Sequence, residues 1–472
     1  MVSLSDSTEH LENLGAGELL VNSGELQKAE KFADRRLTAI AYLSEDFVAR
    51  LAGTPEDLDD LPSMAEQLLE GAEIDEDLEA AILMDVKTLA EDLKPHVPEP
   101  GPSLSFSFLT PRGLESYTYN WTQNLTLIGD KRLDLLEHVG STPLVAFVAR
   151  NRVSIEDYQL LVKWAKIGWG YVTRLAVPTM KDDDKAQFDK VVEKFTPLVQ
   201  RLHQVTETKL LPALADGQIG LVWESHWKSR QWVKQWPATE QPMPLPEGAI
   251  VLGVSDAKLF KSALGEYLEI VEAGLGGVRE LNPQAIPADL KVPPPDETRS
   301  GTYETFAYHI PAEAGVDPQV VPNMGLGEHV AVFCLSLDQT ARLLKSTPFK
   351  GEGPLADAKQ PLAAAGVLDW AGLVNLVSPW VELGAKQYGP QIVNSMLSAA
   401  KSNGDPDDDD AADAPADRPA EAVKIDPAAI AAQIHDFLML AKTLRTVTFS
   451  AQIDEEAEAV VQRLELHFED LP

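Results

Sequence analysis

The hydrophobic period of this chain changes at Ser103, and that change limits the folds open to it. Before it, Leu19, Leu20, Leu26, Ala29, Phe32 and Ala33, and later Ala80, Ala81, Leu83, Met84, Val86, Leu89 and Leu93, recur at the spacing of a helical face. After it, Leu104, Phe106 and Phe108 alternate with polar residues, a turn falls at Thr110 to Gly113, and Tyr117, Tyr119 and Trp121 alternate again. That is a β-hairpin pattern, and a second one runs through Leu444 to Ile453 and Val460 to Phe468. The expected fold class is α+β: a helical N-terminal region at 1–100, then two modules, 101–245 and 246–472, of helices packed on largely antiparallel sheets. More than one module is expected because 472 residues exceed the size at which one core keeps growing.

Between the hairpins a strand entering a capped helix recurs. Leu144 to Val148 leads to Ser154 as N-cap and a helix through Leu161, Trp164, Ile167 and Tyr171. Gln218 to Glu224 leads into a helical reading of Trp227 to Trp236. Ala249 to Val254 leads through Ser255 and Asp256 into Ala257 to Ala273, and Val330 to Leu335 leads through Ser336 into Leu337 to Lys345. The last two strings, AIVLGVSDAKLFKSAL and VAVFCLSLDQTARLLK, suggest an internal duplication. Gly53 to Pro62 reads as a solvated loop, Pro95 to Pro102 as the end of the helical region, and Pro237 to Pro246 as a connector. Residues 403–421 combine acidic, alanine and proline content that buries too little surface to offset ordering entropy, so a disordered acidic loop is expected there.

Charge narrows the partners. Forty Lys and Arg against 74 Asp and Glu give a net charge of -34, which repels phosphate backbones and anionic headgroups. No nucleic-acid partner is expected, and the absence of any run of roughly 18 apolar residues predicts no membrane span. Met1 to Glu12 lacks the basic start and apolar stretch of a signal peptide, which predicts a cytoplasmic chain, or an exported one whose leader has been lost. The lone cysteine, Cys334, lies in an apolar run and reads as a buried, inert thiol.

Motifs for P-loop, nucleophile-elbow, zincin, thiol-redox and EF-hand chemistry are absent from the sequence, so no cofactor or metal is expected. Gly351 to Ala356 satisfies GxGxxA, but its proline and glutamate suit a surface loop. The nine histidines form no metal-binding spacing, although His309 and His329 fall on candidate neighbouring strands. Asp405 and Asp407 to Asp410 read as a solvated linker, and Asp182 to Asp184 as a solvated helix start or loop.

The least ordinary segment interleaves Trp223, Trp227, Trp232 and Trp236 with Lys228, Arg230 and Lys234. Such a pattern serves either as a stacking platform for a ligand or as helix anchors, Trp232 and Trp236 sharing a helical face at a spacing of four. The candidate ligand-binding residues are therefore Trp223, Trp227, Trp232, Trp236, Lys228 and Arg230. Asp216 and Glu224 flank the expected strand and are the carboxylates a hydrolase would use.

The strings SLSFSFLTPRGLESYTYNW, LLEHVGSTPLVAFVAR, LLPALADGQIGLVWES and PMPLPEGAIVLGVSD resemble segments of a family of large proteins from planctomycete-type bacteria with no assigned activity. The similarity covers mainly residues 100–275, with an echo in LVNLVSPWV near 373–381. The resemblance implies frequent export leaders and no catalytic residues to carry over. The expected function is that of a noncatalytic binding or structural protein whose partner is a protein or a small ligand, the alternative being a carboxylate-using hydrolase.

Overall fold

A computed structural model describes residues 34–384, apart from 72–73, 285, 288–290, 348 and 358, together with 436–469 and the single positions 28 and 32. The acidic segment 403–421, Asp405 with its neighbours, and most of the first expected helix lie outside the described residues. The strands are β1 (Leu37–Leu43), β2 (Ser103–Thr110), β3 (Gly113–Asn120), β4 (Val145–Arg150), β5 (Gln218–Ser229), β6 (Met243–Gly253), β7 (Asp296–Ser300), β8 (Tyr303–Ala307), β9 (Asn323–Leu326), β10 (Val330–Cys334), β11 (Ala364–Asp369), β12 (Leu444–Asp454) and β13 (Ala459–Phe468). The longer helices are α1 (Glu45–Ala52), α2 (Leu61–Leu69), α3 (Glu76–Leu93), α4 (Ile155–Tyr171), α5 (Asp182–Val205), α6 (Ala257–Leu281) and α7 (Leu337–Leu344), and a further helix spans 370–384.

The thirteen strands among the described residues belong to one sheet, in the order β1, β2, β3, β13, β12, β11, β4, β5, β6, β10, β9, β8, β7. Every pairing is antiparallel, so the fold is a mixed α+β one. Strands from the expected modules 101–245 and 246–472 interleave in it, because β11 to β13 sit between β3 and β4. The expected connector Pro237 to Pro246 is half strand: β6 starts at Met243 and pairs with β5 from Ser229 onward.

The N-terminal region needs correction. It contains α1 to α3, but Leu37–Leu43 is a strand on β2, where Thr38, Ile40 and Tyr42 supply the β-branched and aromatic alternation that favours one. Gly53 to Pro62 is also more ordered than a loop, since Pro55–Asp60 forms a 3-10 turn with a Thr54 and Asp57 capping box. The expected caps at Ser154, Asp256 and Ser336 each accept a backbone N–H at the start of α4, α6 and α7. Asp182 to Asp184 form the exposed first turn of α5.

One face of the central strands carries the main core. Ala146 and Val148 of β4, Val222 of β5, Val251 of β6 and Val332 of β10 pack there with Leu135, Val139, Leu343 and Leu344. Helix α6 enters a different cluster, in which Phe260 meets Phe306, Met324, Leu326 and Ala331. The two strings that look duplicated thus feed helices of 25 and 8 residues into different clusters. Within Gly351 to Ala356, Pro354 and Leu355 are buried, the leucine in the main core, so this stretch is not the surface loop expected. His309 sits by Asp296 and His329 by Glu328, and the two imidazoles share no contact.

Helix α4 is held to α3 by polar contacts: the Tyr171 hydroxyl donates to Asp85, and Lys163 and the Trp164 indole both donate to Asp92. Burial, and then the Asp85 carboxylate, push the Tyr171 hydroxyl up to about 12. An unfolded tyrosine ionises near about 10, so the folded state holds this proton longer. The contribution is complete below about pH 10 and is lost as pH rises to about 12. Urea unfolding of wild type and Tyr171→Phe across that window is expected to show a stability difference that shrinks with rising pH, and a pH-independent difference would contradict the linkage.

Candidate functional site

Register places one apolar row across six strands. Phe147 of β4 opposes Leu221 of β5, which opposes Ile250 of β6, then Phe333 of β10, Met324 of β9 and Phe306 of β8. Same-face neighbours in such a row touch. On this face Phe147, Ile219, Leu221, Trp223 and Ile250 remain 42–48% exposed, so the central strands are not covered as they are on the core side. Helix α6 stands over the far part of the row, presenting Leu264, Leu268 and Val271, and the space between encloses a groove of about 800 Å³.

Few polar groups reach the groove. Its charged lining residues are Lys261 and Glu297, and Lys261 is already held by Glu304 at 2.8 Å and Glu297 at 3.6 Å, with its ammonium over the Phe306 ring. The hydrogen bond to Glu304 keeps Lys261 above its usual range. The Asn323 amide is committed to the Val321 and Cys334 carbonyls, and the Tyr267 hydroxyl pairs with Thr206. Trp223 lies over Gly248, whose missing side chain leaves the indole room at 3.5 Å from where a Cβ would stand.

A β-bulge separates the expected tryptophans. Glu224 opposes Glu247 and Trp227 opposes Leu245, so β5 carries one extra residue between them. Without it Trp223 and Trp227 would share a face. With it, Trp223 lines the groove while Trp227 is buried on the opposite side, beside Glu224. The expected helix over Trp227 to Trp236 is absent: β5 runs to Ser229, and a turn follows. Trp232 is 4% exposed, meets Trp227 at a tilt with ring centroids 5.6 Å apart and donates to the Met243 carbonyl, whereas Trp236 is 53% exposed. Trp232, Trp236 and Arg230 line a second cavity of about 300 Å³ with Trp380. Lys228 is exposed and lines none of these cavities, and Lys234 donates to the Ala312 carbonyl.

The two flanking carboxylates are not brought together. Asp216 precedes β5, accepts from Gln218 at 2.7 Å and lies 3.4 Å from Arg150, while Glu224 is eight residues further on, about 26 Å along an extended chain. Glu224 instead meets a residue that sequence reasoning missed. Glu224 and Glu247, both nearly fully buried, share the Arg342 guanidinium of α7, which donates to Glu224 at 2.9 and 3.2 Å and to Glu247 at 3.0 Å. Burial disfavours the charge on Arg342, yet the two carboxylates outweigh it and hold the guanidinium above its usual range. The His226 backbone N–H donates to Glu247, and Gly140, at φ +80°, leaves space for the Glu224 carboxylate. A small third cavity beside this cluster is lined by His226, Trp227, Ser336 and Arg342.

Cys334 is buried, accepts or donates at 2.8 Å with Thr340 Oγ1, and has its thiol pushed up by burial, in keeping with an inert side chain. No group of three or more His, Cys, Asp or Glu side chains suited to a metal occurs among the described residues, and no described helix is long and apolar enough to cross a membrane. Compared with known proteins, the chain matches no family model, no curated protein and no solved structure.

Proposed function

We propose that the protein is a noncatalytic binding protein whose groove holds a neutral, largely apolar small molecule. The observation that carries this reading is the apolar row that, among the described residues, α6 covers only in part, with a groove of about 800 Å³ between them. That volume lies in the range of about 300–1,000 Å³ typical of small-ligand sites. A carboxylate or phosphate headgroup is disfavoured in the groove, because Lys261 is already neutralised by Glu297 and Glu304. The net charge of -34 argues against extended polyanions, nucleic acid and anionic lipid surfaces, as partners. The resemblance of residues 100–275 to planctomycete-type proteins with no assigned activity fits this reading, since it brings no catalytic residue to account for.

Gly265 offers a test that leaves the fold intact. It lines the groove from α6, and nothing stands within 4 Å of where its Cβ would be. Gly265→Leu fills that space and removes a helix-interior glycine, a gain of about 0.5–1 kcal/mol. The neutral dye Nile red is expected to bind wild type and to be displaced by hexadecanol more readily than by palmitate. Gly265→Leu is expected to weaken the dye by about tenfold, or ~1.4 kcal/mol, at an unchanged or raised melting temperature. Undiminished dye binding in a folded Gly265→Leu protein would refute the groove as the site. Dye release on self-association, followed by sedimentation, would instead assign the groove to a second copy of the chain.

A further inference from the structure

The second cavity, bounded by Trp232, Trp236 and Trp380, lies on a different part of the molecule from the groove and has a different chemistry. Its walls are aromatic and aliphatic: Trp232 and Met243 are buried behind it, Trp380 and Leu383 come from the helix at 370–384, and Trp236 stands exposed at its mouth. Its polar groups are mostly spent. The Trp232 indole donates to the Met243 carbonyl at 3.1 Å and the Trp380 indole to the Pro244 carbonyl at 2.6 Å. The Gln231 amide donates to the Trp236 carbonyl at 2.8 Å and the Lys234 carbonyl at 3.3 Å, while Thr239 donates through its backbone and its hydroxyl to the Arg230 carbonyl.

Among the described residues, two that line the cavity carry side-chain donors with no hydrogen bond or ion pair: Arg230, with its guanidinium, and Trp236, with its indole N–H. Both are donors, and one is a fixed cation in a chain of net charge -34. Glu240 and Glu382 are exposed and close in sequence to lining residues, and neither lines the cavity. A guanidinium left unpaired beside aromatic walls matches a planar apolar body carrying one anionic acceptor, because the fork geometry of arginine suits a carboxylate and tryptophan faces suit a ring. A sugar, which presents many hydroxyls, would find the rim carbonyls of Arg230, Lys234 and Trp236 already occupied. We infer that this cavity is a binding site for a small aromatic carboxylate, with Arg230 holding the carboxylate and Trp236 and Trp380 flanking the ring. The volume of about 300 Å³ limits the occupant to one small molecule.

The probes are indole-3-acetate and its neutral isostere indole-3-acetamide, titrated into the full chain by calorimetry and followed by ligand-observed NMR. The acetate is expected to bind one to one and at least about tenfold more tightly than the amide, the scale of a hydrogen bond to a charged group. Arg230→Ala is expected to weaken the acetate by about tenfold to a hundredfold and leave the amide nearly unaffected. Trp236→Ala is expected to weaken both, and both variants alter exposed side chains, so melting temperatures close to wild type verify the fold. Gly265→Leu, which blocks the groove, is expected to leave acetate binding unchanged, so this site and the groove stand or fall separately. Equal affinity for acid and amide, an acid insensitive to Arg230→Ala, no binding of either probe at millimolar concentration, or loss of acetate binding in Gly265→Leu would each overturn the inference.

Discussion

Arg342→Ala is expected to destabilise the protein by about 3–5 kcal/mol at neutral pH, because it strands two buried carboxylates. Glu224 and Glu247 are 3% and 1% exposed and share one guanidinium, so its removal leaves two buried carboxylates with the His226 imidazole, 4.0 and 3.6 Å away, in place of a hydrogen-bonded fixed cation. The Arg342 side chain is itself 34% exposed, which places the expected loss near the lower end of that range. Set against a typical total of about 5–15 kcal/mol, it is a large fraction. Urea unfolding at neutral pH measures the loss. The triple replacement Glu224→Gln, Glu247→Gln and Arg342→Met is expected to recover much of the loss, since a buried ion cluster is often no better than a neutral one. An Arg342→Ala protein that unfolds like wild type at neutral pH would show that the cluster is hydrated and of little structural weight.

That cluster also marks the limit of what one sequence discloses. Its three members lie 95 and 118 positions apart in their pairings with Arg342, and nothing local in their strings distinguishes them from surface charge. Local signals fared differently. In β2, Leu104, Phe106 and Phe108 alternate with serines, and the structure buries those three and half-buries the serines, as a strand with one covered face requires. The caps at Ser154, Asp256 and Ser336 were legible because a side-chain oxygen satisfying an orphan N–H is a local matter. Parity beyond Glu224 was not, since a single extra residue in β5 reverses every later side chain. Nor was the strand order: the insertion of β11 to β13 between β3 and β4 depends on pairings such as Val461 with Tyr119, far apart in sequence. The groove was half legible. Ile219, Leu221 and Trp223 announce one apolar face of β5, opposite Gly220 and Val222, but which face goes uncovered is decided by where α6 lands.

Trp232→Ala is expected to cost about 3–5 kcal/mol and Trp236→Ala no more than about 0.5 kcal/mol, although the two residues look alike in sequence. If both anchored a helix, both losses would be large, and the structure removes that premise by placing them in the turn after β5. Trp232 is the side chain that ties this turn down. It is 4% exposed, meets Trp227 ring to ring, donates to the Met243 carbonyl of β6, and its own carbonyl accepts from Asp317. Truncation leaves a cavity the size of an indole between β5, β6 and the 311–321 segment, together with an unsatisfied carbonyl. Trp236 is 53% exposed, and its contribution to the turn runs through its backbone carbonyl, which Gln231 holds and which alanine retains. Lys228→Ala and Arg230→Ala serve as controls and should fall within about 0.5 kcal/mol, since both side chains are exposed and unpaired among the described residues. Thermal and urea unfolding of the four variants provides the comparison. Equal losses from Trp232→Ala and Trp236→Ala would mean that the turn after β5 is a helix after all, and would remove the exposed aromatic wall on which the aryl carboxylate site depends.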